Sequence, residues 1–245
     1  MARFAVILPA AGQSSRFGGK EKKPFTSLGG RAVWLRAAEL FWTRDDVSRV
    51  YVVISPADRE LFEIRFRPHL AFAKGTVIDG GAERFESVAN ALAVIPEDVD
   101  FVAVHDAVRP LCPKEHIDAV FKAAKEHGAA MLAVPVADTL KRVDANNKIV
   151  ETVPRAGLWA AQTPQVFRRD WLVEAYAKRG ELTVPITDDA QLMEAVGRTV
   201  VAVPGHGSNF KITTQDDLEL AEALVSARAN KPAPVLRAFG DEATW

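Results

Sequence analysis

The chain has 245 residues, 48% of them apolar, and its 31 Lys and Arg against 32 Asp and Glu leave a net charge of −1. That length and apolar content suffice for a full core, and the charge balance excludes a general nucleic-acid binder, which carries a basic excess. Cys112 is the single cysteine, which rules out an intrachain disulfide framework and predicts a reducing, cytoplasmic setting in which that thiol is packing.

No apolar run approaches the roughly 20 residues of a membrane helix, and the first residues lead into a strand rather than a signal-peptide layout. Strand and helix signals then alternate, the pattern of a layered α/β fold with a mostly parallel sheet. An apolar strand from Phe4 to Leu8 runs into Pro9-Ala10-Ala11-Gly12 and a polar loop that reaches Pro24. Small residues there let a polyanion approach the backbone N–H groups. Arg16 and Lys23 add two cations, the combination a triphosphate requires. Neither G-x-x-x-x-G-K-[ST] nor G-x-G-x-x-G is present, so the loop is no P-loop, and a tight strand-to-loop connection is the plain alternative.

Residues 32–43 carry apolar side chains at helical spacing, Val50 to Ile54 reads as a strand buried on both faces, and 57–66 as a helix. A short strand, Thr76 to Ile78, turns through Asp79-Gly80-Gly81 into a helix over 83–94. The strand Phe101 to Val104 stops at His105-Asp106-Ala107-Val108-Arg109-Pro110, and helix 114–127 follows with Gly128 as its C-cap. Met131 to Val136 is another buried strand.

From Ala137 to Val153 polar and apolar residues alternate around Asp144-Ala145-Asn146-Asn147, a β-hairpin with a polar turn. An isolated ribbon is marginal in water, so it must cover its own domain or exchange with a second subunit. Gln162-Thr163-Pro164-Gln165-Val166-Phe167 leads into helix 169–180, and Thr187-Asp188-Asp189 starts the next helix with an N-capping side chain. Strand 199–203, a Gly/Ser/Asn loop and helix 215–229 close the fold. Residues 1–230 are expected to form a single domain, and the tail 231–245, with Pro232 and Pro234, to be loosely ordered. There is no internal repeat.

In open parallel sheets ligands sit beyond the carboxyl ends of the strands, which gathers loops 9–24, 79–87 and 105–110. Gly80 and Gly81 offer close backbone approach and Ser87 a hydroxyl, though a tight turn with an ordinary helix start explains them equally. Asp106 can bind a metal ion, accept from a ribose, or pair with Arg109. No second carboxylate follows at ligand spacing, so any Mg²⁺ would be held mainly by phosphates, with Asp106 the candidate protein ligand. His105 reads as a structural hydrogen-bonding histidine rather than a base. Zinc spacing and a G-x-S-x-G elbow are both absent. Arg155 and Lys211 read as solvated charges unless a second anion must be held.

Together these stretches resemble one family, 2-C-methyl-D-erythritol 4-phosphate cytidylyltransferase. The resemblance rests on PAAGQSSRF at 9–17, Lys23, SLGG at 27–30, DGGAERFESV at 79–88, VHDAVRP at 104–110 and PVADTLKRV at 135–143. It continues through QTPQVF at 162–167, ITDDA at 186–190, NFKIT at 209–213 and the closing DDLELAEAL. It implies a Rossmann-like nucleotidyltransferase α/β fold with a protruding β-arm, at about 137–155, exchanged between the subunits of a homodimer. The implied reaction joins CTP and methylerythritol phosphate, with Mg²⁺, to give the CDP-linked product and pyrophosphate. Arg16 and Lys23 match the residues that stabilise the transition state, and Arg155 and Lys211 those that position methylerythritol phosphate. Pro9, Ala10, Ala11, Gly12, Gly81, Ser87, Asp106 and Ala107 match nucleotide-contacting positions, and Arg109, Thr139 and Thr163 are carried over to the second substrate.

The chain departs from the family pattern in three places. Lys22-Lys23-Pro24 stands where Pro-Lys-Gln is usual, Ala82 where an acidic residue is common, and Ser208 in place of an acidic residue before the Asn. A ribitol 5-phosphate cytidylyltransferase is the nearest alternative and would share the CTP loop. The PVADTLKRV arm and QTPQ favour methylerythritol phosphate. A non-catalytic nucleotide-binding scaffold would be expected to lack Arg16 or Lys23, and both are present. The length predicts no fused second enzyme.

Overall fold

The strand Phe4–Pro9 (β1) is buried along almost its whole length, and its side chains divide between two cores. Phe4, Val6 and Leu8 face one, Ala5 and Ile7 the other, as the two-residue period of a strand dictates when both faces are covered. The computed structural model describes residues 2–12, 17, 21–71, 73–183 and 185–230. The expected loosely ordered tail beyond Asn230 lies outside the described residues.

After β1 come a small hairpin, Ser27–Leu28 (β2) and Arg31–Ala32 (β3), then Val33–Trp42 (α1), Val47–Ile54 (β4), Arg59–Ala71 (α2), Gly75–Asp79 (β5) and Arg84–Leu92 (α3). Phe101–Val104 (β6), Lys114–His127 (α4), Ala129–Pro135 (β7), Leu140–Val143 (β8), Ile149–Val153 (β9) and Trp159–Arg168 (β10) follow. Arg169–Lys178 (α5), Asp189–Ala195 (α6), Val201–Pro204 (β11) and Gln215–Ala229 (α7) complete the order.

The central sheet has 7 strands in the order β11-β7-β10-β6-β1-β4-β5. β1 lies parallel to β4 on one edge, Ile7 opposite Tyr51, and parallel to β6 on the other, Ile7 opposite Val104. The chain steps outward through β4 and β5 and then returns to the far side of β1 as β6. That reversal makes a crevice beyond the carboxyl ends of β1 and β6. One face packs on α1, α2 and α4 through Trp34, Phe41, Phe62, Phe66 and Phe121, with Phe4 stacked on Phe121 at 4.1 Å. The other packs on α3, α5 and α6 through Val88, Leu92, Leu172 and Met193. A third cluster, with Leu28, Val33, Val108, Ile212 and Ala221, joins α7 to the loops at the crevice.

β10 is the element the sequence conceals. The stretch expected only to lead into a helix is a strand lying between β6 and β7 and antiparallel to both. Pro164 cannot donate to a ladder and so argues against a central strand. Here the register to β7 shifts between Ala161 and Gln165, around the cis Thr163–Pro164 bond. The polar side chains that interrupt the apolar pattern have buried partners. Gln165 donates to Asp188 at 2.8 Å and accepts from the Ala190 N–H at 2.9 Å. The β2–β3 hairpin, not expected from the sequence, turns through Gly29 and Gly30 at positive φ, and α2 extends beyond the expected end at 66, through Pro68. The alternating stretch after β7 forms the antiparallel pair β8–β9, whose strands bond only to each other among the described residues.

Helix α4 spans 114–127 as the periodicity predicts, with Glu115 in its first turn and Lys125 and His127 in its last, matching the helix dipole. Gly128 ends it at φ +84°, its N–H bonded to the Ala124 carbonyl at 2.8 Å. A Cβ there would also lie 2.3 Å from the Trp171 ring. Gly128→Ala therefore combines left-handed backbone strain with overpacking, and urea denaturation should show a loss of about 2–4 kcal/mol. An unchanged midpoint would contradict this account.

Candidate active site

The crevice is a cavity of about 280 Å³ whose walls come from separate stretches of chain. The end of β1 contributes Pro9, Ala10, Ala11 and Gly12, and the turn after β5 contributes Gly81 to Arg84 and Ser87. Asp106 and Val108 follow β6, Lys23 and Pro24 come from a 3₁₀ turn, and Lys211 from the loop after β11. The first two walls touch at Gly80, whose N–H bonds the Ile54 carbonyl at 2.7 Å. A Cβ on Gly80 would stand 2.8 Å from both the Ala11 methyl and the Ser87 hydroxyl. The Gly81 N–H donates to the Ser87 hydroxyl at 3.2 Å, which itself donates to the Glu83 carbonyl. Ser87 thus shapes the loop as well as lining it.

Lys23 is placed by its neighbours. Lys22 pairs with Asp58 at 2.6 Å, Glu21 pairs with Arg65, and Phe25 is buried against Phe62 and Phe66. Lys211 is placed by a loop sewn to β6 and β10. Asn209 donates to the Thr163 carbonyl at 2.8 Å, and the Ile212 N–H bonds the Val108 carbonyl at 2.9 Å. Ser208, where an acidic residue is usual, accepts from Arg228 at 3.0 Å and contacts His206.

Asp106 is 8% exposed and is the electrostatic centre. One carboxylate oxygen lies 3.2 Å from Lys211 Nζ and 3.2 Å from Arg109 Nε. Burial alone would raise its pKa, but Lys211, Arg84 and Arg109 outweigh that and hold the carboxyl far below the usual range. Arg84, which the sequence reading did not single out, lines the cavity and pairs at 2.8 Å with the buried Asp189. Burial would lower the Arg84 pKa, yet Asp189 and Asp106 raise it, so the guanidinium stays charged. Asp189 also accepts from the Tyr176 hydroxyl at 2.6 Å. The readable signal for Arg84 was its position, a cation soon after two glycines at a strand's carboxyl end.

A crevice of small residues with lysines entering from two directions is built for a polyanion. The sequence profile of the 2-C-methyl-D-erythritol 4-phosphate cytidylyltransferase family matches residues 4–227. The chain belongs to that family. The cytidylyltransferase of this name from Frankia casuarinae is 44% identical over 225 residues, covering 91% of this chain and 82% of its own. That of Pelotomaculum thermopropionicum is 38% identical over 234 residues, 95% of this chain and 98% of its own. The solved structure of the Thermus thermophilus cytidylyltransferase matches with a TM-score of 0.75 at 34% identity, over 92% of this chain and 100% of that one.

In this cytidylyltransferase family member the sequence candidates divide clearly. Pro9, Ala10, Ala11, Gly12, Lys23, Gly81, Ser87, Asp106 and Lys211 meet around the cavity. Ala107 is fully buried, and Arg109 stands behind Asp106 with Nη1 on the Asn209 carbonyl at 2.7 Å. Thr163 is buried too, its hydroxyl accepting from the Asp106 N–H at 3.0 Å. Thr139 and Arg155 are exposed beside the open end of the β8–β9 hairpin, opposite its turn, and do not line the cavity. Arg16 lies outside the described residues.

Two expectations follow. Gly80→Ala should push the β1 loop and the 81–87 turn apart and weaken CTP binding about tenfold or more, read by calorimetric titration; unaltered affinity would remove the steric argument. His105, fully buried, has its pKa lowered from 6.5 to about 4, chiefly by burial. A depressed folded-state pKa means that stability is complete above 6.5 and is lost as pH falls towards 4. The loss is about 3 kcal/mol, and it precedes that from Asp106, which begins only below the ordinary 3.8 of a free carboxyl. Denaturation midpoints that stay flat across this window would refute it.

Proposed function

We propose that this protein transfers the cytidylyl group of CTP to 2-C-methyl-D-erythritol 4-phosphate, giving 4-diphosphocytidyl-2-C-methyl-D-erythritol and pyrophosphate in non-mevalonate isoprenoid biosynthesis. The observation that carries this reading is the cavity at the β1–β6 crevice, lined by Ala10 to Gly12, Lys23, Asp106 and Lys211, in a chain matched by the family profile over residues 4–227.

A phosphate oxygen of the acceptor attacks the α-phosphorus, a P–O bond forms, and the bridge to the β-phosphate breaks as pyrophosphate leaves. The attacking oxygen is already anionic, so no general base is required. Catalysis is in-line positioning plus stabilisation of charge on the α-phosphate. Lys23, with Arg16 from the same loop, neutralises the phosphates of CTP. The backbone N–H groups of Ala10 to Gly12 approach the triphosphate, and Lys211 holds the acceptor phosphate. Among the described residues no three His, Cys, Asp or Glu side chains form a metal cluster. An ion brought in by the triphosphate, as Mg²⁺ commonly is, would be met by the Asp106 carboxylate at the cavity wall. When bound, Mg²⁺ supplies charge neutralisation on the phosphates.

The β8–β9 hairpin exposes Val143, Ile149 and Val150, at 48%, 65% and 58% of their surface. A ribbon whose apolar side chains have no cover among the described residues favours exchange with a second copy, making a homodimer in which Arg155 reaches the partner's cavity. Among the described residues no helix is long and apolar enough to cross a membrane. The Cys112 thiol, pushed up to about 12 by burial, is unreactive packing. That thiol, free of any disulfide, favours a reducing, cytoplasmic setting.

Pyrophosphate release from CTP and Mg²⁺, measured with methylerythritol phosphate and in parallel with ribitol 5-phosphate, tests the reaction. Release with the first alone is expected; release with the second alone would overturn the substrate. Arg155→Ala should raise KM for methylerythritol phosphate about 10- to 100-fold, the loss of a charged hydrogen bond, while CTP affinity holds. Equal losses for both substrates would remove Arg155 from the acceptor site.

A further inference from the structure

His105 lies just past the end of β6, fully buried, and no atom of it lines the cavity. Its ring is nonetheless tied at both nitrogens. Nε2 lies 2.9 Å from the Arg109 carbonyl oxygen. A carbonyl only accepts, so Nε2 carries the proton and Nδ1 presents a lone pair. Nδ1 is 3.1 Å from the Thr163 hydroxyl, which must therefore donate to it. The hydroxyl oxygen in turn accepts the Asp106 N–H at 3.0 Å. The bonds run in one direction, from the Asp106 amide through Thr163 and His105 to the Arg109 carbonyl, with a donor matched to an acceptor at each step. The Arg109 N–H closes the same turn on the Asp106 carbonyl at 3.0 Å, and the Phe41 ring meets the imidazole edge-on at 5.0 Å.

We propose that His105, as the neutral Nε2–H tautomer, is a positioning residue for the transfer: acting through Thr163 it fixes the 106–109 turn, and with it the carboxylate that aligns Lys211 and Arg109. This rests on the reading of the cavity as the nucleotidyl-transfer site. Among the described residues the Asp106 carboxylate is the side chain paired with both cations, so a shift of its turn moves Lys211 Nζ, the cavity's acceptor-side charge. A general-base role for His105 does not fit, because both nitrogens are engaged away from the cavity and an acceptor phosphate has no proton that must be removed. The relay crosses from β6 to β10, so it also explains why the irregular, Pro-containing strand sits beside the site.

The test has a spectroscopic and a kinetic arm. Nitrogen-15 NMR of the imidazole in the substrate-free protein should show the Nε2–H tautomer; the Nδ1–H tautomer would overturn the proposal whatever the activity. His105→Leu should lower kcat/KM for the acceptor about tenfold or more, with His105→Asn, whose amide oxygen can replace Nδ1, recovering part of the loss. In a double-mutant cycle with Lys211→Met the two losses should not add, because both pass through the same ammonium group. Additive losses would mean that His105 is merely structural. Should His105→Leu not fold, the cycle is run with His105→Asn. A wild type inert with methylerythritol phosphate would overturn the reading of the reaction, while the tautomer measurement would still decide the hydrogen-bond array.

Discussion

The site depends on one strand that cannot move. β1 is hydrogen-bonded to β4 on one edge and β6 on the other, and its side chains fill two separate cores. A displacement of its carboxyl end would break two ladders and open both cores, since packed interiors do not deform continuously. Ala10 to Gly12, which follow directly, inherit that rigidity, and the Ala10 N–H is still held to the Val53 carbonyl at 2.7 Å. A small-residue loop is thereby given a fixed origin, without which its backbone donors would have to be ordered at each binding event. Gly80 then presses the second wall against the first.

Charge is organised on the same scaffold. A buried carboxylate is unfavourable unless paired, and Asp106 meets that requirement with Lys211 and Arg109 at 3.2 Å and with Arg84 nearby. The cations come from different segments: α3, the turn after β6, and the loop after β11. Their convergence on one carboxylate fixes their spacing before any substrate arrives. That is pre-organisation of the kind that in-line transfer needs, because the chemistry itself asks for little beyond placed charge.

Much of this architecture was legible in the sequence where a residue's role is local. Continuous apolar runs gave β1, β4 and β6, and helical spacing with a glycine stop gave α4 to its ends. Asp188 does cap α6, accepting from the Gln191 N–H at 2.8 Å. The rule that ligands lie beyond strand ends gathered the loops that do line the cavity. What could not be read were roles set by distant partners. β10 looks polar because Gln165 answers to α6 and Gln162 to the loop after β11, and its proline falls where the register to β7 shifts. Arg84 becomes a wall of the site only because Asp189, distant in sequence, neutralises it there. The motif places Thr163 and Arg109 at the second substrate but gives no hint that their side chains also bond to Asp106.

The departures at 22–24 show how the same placement is reached by other contacts. Lys23 sits in a 3₁₀ turn with Pro24 as its next residue, a position where a missing N–H and a fixed φ are favourable. Lys22, standing where the family usually has proline, is not idle: it pairs with Asp58 in the turn leading into α2, and Glu21 pairs with Arg65 on that helix. On the other side, Phe25 enters the aromatic cluster with Phe62 and Phe66. The turn is therefore fastened to α2 by ion pairs before Lys23 and by buried rings after it. Exposed pairs alone would contribute little, but Asp58 is 13% exposed and the aromatic anchor is buried in the main core. Lys23 thus keeps its place in the cavity wall through contacts made by this chain's own residues on either side of it.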